Sequence, residues 1–310
     1  MSVCVVLFIV TRNQSVQNPV VYYTQAQPHY LCPYFRGGLG NLMFMYASLY
    51  GIAKTNEMIL VLNEKDHINS VFPKLNVVRM KNTTFCEKAE LVGEVRPCAY
   101  DLGTINFNKK KNIRQKAYLQ SWKYFQNVEQ EIREQFVFPA SVQDKAQRVI
   151  NNYTSIYTAK RGRVQNLQII GVHIRRGDYL LPGKIKYGYN IVTKKYIDNA
   201  FQYFRTRCDN TCLFLVFTGT GKKDIKWREE NIKGDDVLNV FANPRDIDMC
   251  ALSMCNHTIT TVGSFGWWSA WLANGTTVYF KDVAKQNSPL RKAFSKDMSD
   301  FFFPSWVGLE

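Results

Sequence analysis

The sequence predicts an α/β protein made of two Rossmann-like halves. The chain has 310 residues, which is enough for two domains of ordinary size. Its 46% of apolar residues can bury two sizeable cores. Short apolar runs alternate with longer amphipathic segments, and this order is typical of parallel, doubly wound sheets. We therefore expect two such sheets, with the halves joined near residues 155–165.

The first half shows strand, glycine loop, helix and strand in succession. The run LMFMYASLYGIAK (42–54) is apolar on almost every side, which predicts a helix buried on every side. Residues 64–117 show no such succession, and we expect them to be rich in loops. The other elements predicted here are strands at YLCPYF (30–35) and MILVL (58–62) and amphipathic helices at VEQEIREQFVF (128–138) and SVQDKAQRVINNY (141–153).

The second half alternates more cleanly. LQIIGVHI (167–174) predicts a buried strand, and a helix at PRDIDMCALSMC (244–255) is opened by Asn243 and Pro244. The remaining predicted elements are strands at CLFLVFTG (212–219), DDVLNVF (235–241), HTITTV (257–262) and TTVYF (276–280), and helices at TKKYIDNAFQYFRTR (193–207) and GWWSAWLA (266–273).

The N-terminus predicts a short apolar segment and a stem. VCVVLFIV (3–10) is apolar, but no basic residue precedes it, and it is shorter than the roughly 20 residues of a spanning helix. It fits a truncated signal-anchor, a weak signal peptide or merely an apolar start. We therefore divide the chain into a segment and stem (1–28), an N-terminal domain (29–160) and a C-terminal domain (161–310).

Eight cysteines and several Asn-x-Ser/Thr sequons indicate a glycosylated protein in an oxidising compartment. Two of the sequons adjoin apolar runs, where a glycan would not fit, namely those at Asn256 and Asn274. The others are at Asn13, Asn82 and Asn152.

The cysteine spacings suggest three local disulfides: Cys86–Cys98, Cys208–Cys212 and Cys250–Cys255. Cys32 then has no obvious partner. None of the spacings is a metal signature, because the histidines are not placed to complete a site.

The net charge of +15 predicts an anionic partner. Charge alone admits nucleic acid, an acidic membrane surface, a sulfated glycan or the phosphates of a nucleotide sugar. Nucleic acid is disfavoured, because the sequence shows no nucleic-acid-binding motif and the basic residues are not clustered. The one tight run, Lys109 to Lys111, is typical of a solvated loop.

Three loops at predicted strand ends carry the polar chemistry, where open α/β sheets bind ligands. The first, RGGLGN (36–41), has three glycines before a helix N-terminus, so its backbone can approach a ligand closely. A glycine turn used only for close packing is an equally good interpretation of this loop.

The second loop, HIRRGDYL (173–180), follows the strand LQIIGV directly. Two adjacent arginines cannot both pair with Asp178, so at least one keeps guanidinium donors for a phosphate. A salt-bridge network that closes the loop is the structural alternative. Cell adhesion through Arg176-Gly177-Asp178 would need a long exposed tip, and here the tripeptide abuts a buried strand.

The third loop lies in TTVGSFGWWSAWLANG (260–275), between an apolar strand and a Trp-rich helix. Ser264 and the neighbouring N–H groups can hold a phosphate, or Ser264 can simply cap the helix. Trp267, Trp268 and Trp271 are predicted to be core residues.

Two other motifs are weak. Asp246 and Asp248 resemble a metal-binding Asp-x-Asp, but they fall in the first turn of a predicted helix, where acids stabilise the helix dipole. TGTGKKD (218–224) lacks the glycine spacing and the Ser/Thr of a P-loop, and we discard it. Taken together, the loops suggest a transferase that uses a phosphorylated sugar donor.

The same three loops, in this order, resemble those of the α-1,2-fucosyltransferases of glycosyltransferase family 11. GGLGNLMFMYA (37–47) is similar to that family's GGLGNQMFQYA, and VHIRRGDY (172–179) matches its HxRRxD signature. CNHTITTVGSFGWWSAWLANGTTVYF (255–280) and YLQSWKYF (118–125) are also similar. Leu42 and Met45 stand where the family often has glutamine, which puts polar contacts there in doubt.

The resemblance implies a GT-B-like fold, with two Rossmann-like domains facing across a cleft. It implies an inverting, metal-independent transfer from GDP-L-fucose to a terminal β-galactoside of a glycan, without a cofactor. It also implies a type II membrane protein of the Golgi cisterna with a luminal catalytic domain, anchored by the N-terminal segment if that segment is complete.

The resemblance also assigns the site residues. It implies that Arg175 holds the donor pyrophosphate, that Arg176 assists it, and that His173 and Asp178 shape the catalytic loop. Asp178 is a poor general base beside two arginines, and the sequence identifies no other. The implied donor-binding residues besides Arg176 are Gly38, Gly40, Asn41, Ser264 and Phe265. A fucosyltransferase of another linkage or acceptor, and a non-catalytic glycan-binding protein of the same fold, remain alternatives.

Overall fold

A computed structural model describes residues 28–162, 164–208 and 211–310. The apolar run 3–10 and the sequon at Asn13 lie outside the described residues. Among the described helices, none combines the length and the apolar character that crossing a membrane requires.

The N-terminal unit is built on a five-stranded sheet in the order β3-β2-β1-β5-β4, with every pair parallel. The buried run predicted at 58–62 forms its second strand. The strands are β1 (Tyr30–Pro33), β2 (Ile59–Asn63), β3 (Val78–Met80), β4 (Glu90–Gly93) and β5 (Ile113–Lys116).

The C-terminal unit is built on a six-stranded sheet in the order β11-β10-β9-β6-β7-β8, again parallel throughout. The strands are β6 (Gln168–Ile174), β7 (Cys212–Thr218), β8 (Val237–Asn239), β9 (His257–Thr260), β10 (Thr277–Phe280) and β11 (Val307–Leu309).

Helices connect the strands in both units, as parallel pairing requires. The α-helices are α1 (Leu39–Asn56), α2 (His67–Val71), α3 (Glu129–Gln135), α4 (Ala140–Arg161), α5 (Pro182–Tyr187), α6 (Lys194–Arg205), α7 (Lys222–Asn231), α8 (Arg245–Ser253), α9 (Ser264–Ala273) and α10 (Pro289–Lys292). Short 3₁₀ helices span Thr84–Glu87, Leu102–Thr104, Trp122–Tyr124, Gln126–Val128 and Gly177–Leu180. The predicted fold class, α/β with two Rossmann-like units, each built on a parallel sheet, is confirmed.

Helices α1 and α9 pack against each other and join the two units. The ring of Phe44 in α1 lies 4.5 Å from that of Trp267 and 5.0 Å from that of Trp268 in α9. The three tryptophans predicted as core are all buried. Because both helices are apolar on almost every side, they can be enclosed by both sheets and by each other. Their N-termini are therefore brought together at the carboxyl ends of β1 and β9.

Several parts of the chain differ from the predicted elements. The run 276–280 was predicted as the last strand, but β11 follows it, and α5 and α10 were not predicted. Residues 64–117, predicted to be rich in loops, also contain β3, β4 and β5, whose runs are short and carry little apolar alternation. Helix α7 was not predicted, because its buried residues are Asp224 and Arg228 and it has no apolar stripe. The predicted domain boundary between residues 160 and 161 stays a prediction. Helix α4, which precedes this boundary, contacts the C-terminal sheet, because Tyr157 donates a hydrogen bond to the carbonyl of Cys212 in β7.

The predicted disulfides are only partly right. Cys208–Cys212 is present, but Cys86 pairs with Cys32, 54 residues away, and Cys98 is a free buried thiol. Cys32 lies in β1 at the centre of the sheet, and Cys86 lies in the 3₁₀ helix Thr84–Glu87, where the chain crosses from β3 at one edge to β4 at the other. The spacing of the two cysteines along the chain gives no sign of this crossing.

The predicted Cys250–Cys255 bridge is also wrong, since both thiols are free and buried. Cys255 follows the end of α8, and its thiol donates to the carbonyl of Ala251. Residues five apart on a helical path point about 140° away from each other, which separates the two side chains.

Candidate active site

The loop after β6 presents Arg175 at the carboxyl end of the C-terminal sheet. Its backbone N–H donates to Thr261 Oγ1 at 2.8 Å, which fixes the residue beside the end of β9. Its Nη2 donates to Asp178 Oδ1 at 2.6 Å, and both side chains are 43% exposed. Nε of Arg175 has no hydrogen-bond partner among the described residues. That nitrogen is buried, but the side chain as a whole is 43% exposed and only Nη2 is paired in the described hydrogen bonds. Nη1 therefore remains as a donor for an anion that binds at this edge.

The neighbouring Arg176 is turned to a different environment. Its Nη1 donates to the carbonyl of Val192 at 2.9 Å, and its guanidinium lies 4.2 Å from the ring centre of Trp227. Burial lowers the pKa of Arg176, although the carboxylate of Asp224 acts in the opposite direction. The two arginines thus have different partners: Asp178 at Arg175, and Trp227 and a backbone carbonyl at Arg176. Nε is buried without a hydrogen-bond partner in both, among the described residues.

Asp224 supports the loop from α7, a role that is not evident in the sequence. Its Oδ1 accepts the N–H of Gly177 at 2.9 Å, although the side chain is only 6% exposed. Gly177 has a φ of +29°, a value that side chains rarely allow. Asp224 belongs to TGTGKKD, the segment that fails as a P-loop. The sequence gives no signal for this role, because the burial of Asp224 within a polar helix is visible only in the structure.

His173 lies behind the loop as a neutral ring. Burial, with a smaller contribution from the Arg175 charge, lowers the pKa of His173 to about 3. The ring lies 5.0 Å from that of Phe265, and Nδ1 has no hydrogen-bond partner among the described residues. Because the protonated ring has such a low pKa, His173 is a weak proton acceptor. Its placement fits the predicted role of shaping the loop.

Helix α9 offers an uncapped N-terminus beside Arg175. Its N-cap residue is Gly263, with a φ of +111°, and no side chain caps the helix. The first N–H groups of an α-helix have no partner within it, so those of Ser264 and Phe265 are donors that an anion could use. The capping role considered for Ser264 is therefore absent. Its hydroxyl donates instead to Asn41 Oδ1 at 2.6 Å.

Helix α1 supplies the matching edge of the N-terminal unit. Its N-cap Gly38 is also without a side-chain cap. A Cβ on Gly40 would lie 2.6 Å from the Ser264 carbonyl carbon, so only glycine lets the two helices approach this closely. Asn41 Oδ1 accepts hydrogen bonds from both Ser264 and Gln120, the latter at 2.9 Å. These predicted residues act at the junction between the units.

The segment 118–125 closes the N-terminal side, and Gln120 was not predicted individually. Glu94 accepts the N–H of Tyr118 at 2.6 Å and that of Leu119 at 2.9 Å. Burial raises the pKa of Glu94, while these two N–H groups and the charge of Arg36 oppose that rise. The guanidinium of Arg36 lies 4.0 Å from the ring centre of Tyr118. A further arginine thus lies on the glycine loop, within the quoted motif RGGLGN.

The structure brings all nine predicted site residues to one region. The sheet of the C-terminal unit provides Arg175 and Asp178, and α9 and α1 provide two helix N-termini. Such an arrangement can bind a diphosphate through one guanidinium and several backbone N–H groups.

The described residues contain no group of three or more His, Cys, Asp or Glu side chains that could hold a metal ion. Asp246 and Asp248 lie in the first turn of α8, as predicted. Asp248 Oδ1 accepts from Asn243 Nδ2 at 2.9 Å, and burial raises the pKa of Asp248 to about 6.

Comparison with known proteins gives a family and relatives. The model of glycosyl transferase family 11 matches residues 2–310. The chain is 34% identical to galactoside alpha-(1,2)-fucosyltransferase 1 of Oryctolagus cuniculus over 194 residues, which are 61% of this chain and 49% of that protein. It is 29% identical to galactoside alpha-(1,2)-fucosyltransferase 2 of Pongo pygmaeus over 287 residues, 88% of this chain and 77% of that protein. The match thus spans about half the length of the first relative.

Solved structures resemble the chain more loosely. Fucosyltransferase NodZ from Bradyrhizobium gives a TM-score of 0.48 at 12% identity, covering 78% of this chain and 92% of that one. POFUT1 in complex with GDP-fucose gives 0.48 at 10% identity, covering 86% and 98%. These scores are too low to support a statement about binding or activity.

Proposed function

Because the chain belongs to glycosyl transferase family 11, we propose that it transfers L-fucose from GDP-β-L-fucose to the 2-hydroxyl of a terminal β-galactoside, with inversion at the anomeric carbon. The family model covers nearly the whole chain, and the relatives named above are galactoside alpha-(1,2)-fucosyltransferases. The observation that carries the proposal is that Arg175 is held beside the end of β9, where the uncapped helix α9 begins and packs against the uncapped start of α1.

The donor diphosphate binds at this meeting point. As the bond between fucose and GDP breaks, negative charge grows on the departing diphosphate. Arg175 lies where it can neutralise that charge, and the open N–H groups of α9 add oriented dipoles that need no rearrangement. Asp178 orients the Arg175 guanidinium through their 2.6 Å contact. The acceptor hydroxyl attacks from the opposite face of the fucose and so forms the α-linkage.

Residues on the glycine loop complete the site from the N-terminal unit. Asn41 holds Ser264 and Gln120 together, so donor binding at α9 and the position of the N-terminal loop depend on each other. Gly38 leaves space at the start of α1, where a Cβ added to it would meet no other atom within 4 Å. This space allows close approach of the donor to the backbone.

The enzyme works in the lumen of the Golgi, attached to its membrane through a segment N-terminal to the described residues. The two disulfides support an oxidising compartment, since such bonds are rare in the cytosol. Immunofluorescence of the tagged full chain against a Golgi marker tests this location, and a diffuse cytosolic signal contradicts it.

The test of the activity is transfer of radiolabelled fucose from GDP-fucose to a panel of β-galactosides, with EDTA present and with linkage analysis of the product. We expect fucose at the 2-position and no effect of EDTA. A product of another linkage would reassign the reaction. GDP binding without transfer to any acceptor would favour the non-catalytic glycan-binding alternative.

Arg175→Ala tests the site itself. We expect kcat to fall about 10²–10³-fold, as for the loss of one preorganised donor to a developing charge. The matched control is Arg148→Ala, which removes an exposed arginine from α4. An Arg175→Ala protein with unchanged melting temperature and near-normal kcat would show that the diphosphate is held elsewhere.

A further inference from the structure

A cavity of about 430 Å³ lies at the end of α9 that points away from the candidate active site. Its size is within the range of about 300–1,000 Å³ that is usual for pockets holding small ligands. Its lining combines aromatic and polar side chains. The lining residues are Glu129, Arg133, Ala270, Trp271, Asn274, Gly275, Thr276, Phe303, Ser305 and Trp306.

The sequon Asn274-Gly275-Thr276 itself forms part of this lining. Asn274 is exposed and ends α9 in the left-handed conformation, with a φ of +57°, which asparagine tolerates well. The structure thus contradicts the expectation that a glycan would not fit here. In the folded protein a sugar on Asn274 would lie beside the cavity.

The aromatic wall matches the chemistry of a sugar. Phe303 and Trp306 are partly exposed, with ring centres 5.5 Å apart. Trp271 is buried beneath them, with the Arg133 guanidinium 3.8 Å from its ring centre. Aromatic rings such as those of Phe303 and Trp306 can pack against the apolar face of a sugar.

The neighbouring sequon at Asn256 is less suited to carry the sugar. Its Oδ1 already accepts the N–H of Ile169 at 2.9 Å. Its Thr258 is buried, with Oγ1 3.0 Å from Thr277 Oγ1. The carboxamide of Asn274, in contrast, makes no hydrogen bond to another described residue.

We propose that Asn274 is N-glycosylated and that its first N-acetylglucosamine packs into this cavity, against Trp306 and Phe303. In the linkage step the carboxamide nitrogen bonds to the sugar's C1, the C1–oxygen bond to the pyrophosphate of a lipid-linked oligosaccharide breaks, and the nitrogen loses one proton. The inference rests on the luminal location proposed above. Helix α9 places this sugar roughly 15 Å from the donor site, at about 1.5 Å per residue.

The experiment uses the full chain made in a eukaryotic secretory host. Glycopeptide mass spectrometry reads occupancy at Asn274. The glycoprotein is then either trimmed to one N-acetylglucosamine per site by an endoglycosidase or stripped completely by an amidase. We expect the melting temperature to survive trimming and to fall by about 2 °C or more on complete removal. An unoccupied Asn274, or equal melting temperatures after both treatments, overturns the proposal.

Variants locate the effect at this cavity. Asn274→Asp removes the sequon and keeps a residue that tolerates the left-handed turn. The matched control is Asn152→Asp, which removes the sequon whose asparagine is exposed on α4. We expect only the first to lower the melting temperature. Combined with Trp306→Ala, Asn274→Asp should add little further loss, because both remove one interaction. Additive losses would overturn the proposal.

Measuring fucose transfer by Asn274→Asp distinguishes a failure of this proposal from a failure of the proposed function. Asn274→Asp should transfer fucose as the unmodified chain does, since the cavity is remote from the donor site. An inactive protein with an occupied and stabilising glycan at Asn274 would count against the proposed function alone.

Discussion

Replacing Gly40 by alanine tests whether α1 and α9 meet through their backbones. The added Cβ would lie 2.6 Å from the Ser264 carbonyl carbon and 2.7 Å from the Phe265 nitrogen. Non-bonded carbons normally lie about 3.5–4.0 Å apart, so the helices would have to separate by roughly 1 Å. Overpacking of this kind costs about 1–3 kcal/mol. Alanine gains only ~0.5–1 kcal/mol over glycine inside a helix, and the net change is therefore a loss of stability.

The assay for Gly40→Ala is thermal unfolding together with the KM for GDP-fucose. We expect the melting temperature to fall by about 2–4 °C for each kcal/mol lost. We also expect KM to rise, because the displaced segment carries the open N–H groups of Ser264 and Phe265. For the melting temperature the control is Gly38→Ala, where no atom lies within 4 Å of the new carbon; this variant should lose less than ~1 kcal/mol from the weaker N-cap. A Gly40→Ala protein that melts higher than the parent would refute the close contact.

Two further predictions concern the catalytic loop. Asp224→Ala should lower the free energy of unfolding by about 1–3 kcal/mol and raise the KM for GDP-fucose, because the N–H of Gly177 loses its acceptor. Asp224→Asn keeps an acceptor oxygen and should recover most of the stability and most of the affinity for the donor. Equal defects in the two variants would contradict this role of Asp224. The free energy of unfolding should fall as the pH is lowered from 6.5 to about 3. In this range the unfolded chain takes up a proton on His173, whose ordinary pKa is 6.5, whereas the folded protein does not, because its His173 has a pKa of about 3. Urea unfolding across this range gives the free energy of unfolding as a function of pH. Its slope should be shallower in His173→Gln than in the parent by up to ~1.4 kcal/mol per pH unit. Equal slopes in the two proteins would show that the ring is not buried in its neutral form.

The sequence predicted what depends on local pattern. Long apolar and amphipathic runs identified β2, β6, β7, α1, α6 and α9 because burial and the helical or strand period act over neighbouring residues. The glycine loop, the two arginines and the Gly-Ser turn were recognised because each motif lies within a few residues of chain. Where the buried face is charged, as at Asp224 and Arg228 of α7, the pattern carries no apolar signal and the element was missed.

The sequence by itself determined the α/β class, the two parallel-sheet units and the three loops of the candidate site. Only the tertiary structure decided which residues act together: Cys32 with Cys86, Gly177 with Asp224, and Asn41 with Ser264, 223 residues apart. Such pairs form when the chain packs two sheets through α1 and α9, and their free energy depends on distances that residue spacing does not encode. The division of labour between Arg175 and Arg176 has the same origin, because each guanidinium takes the partners that packing brings to it.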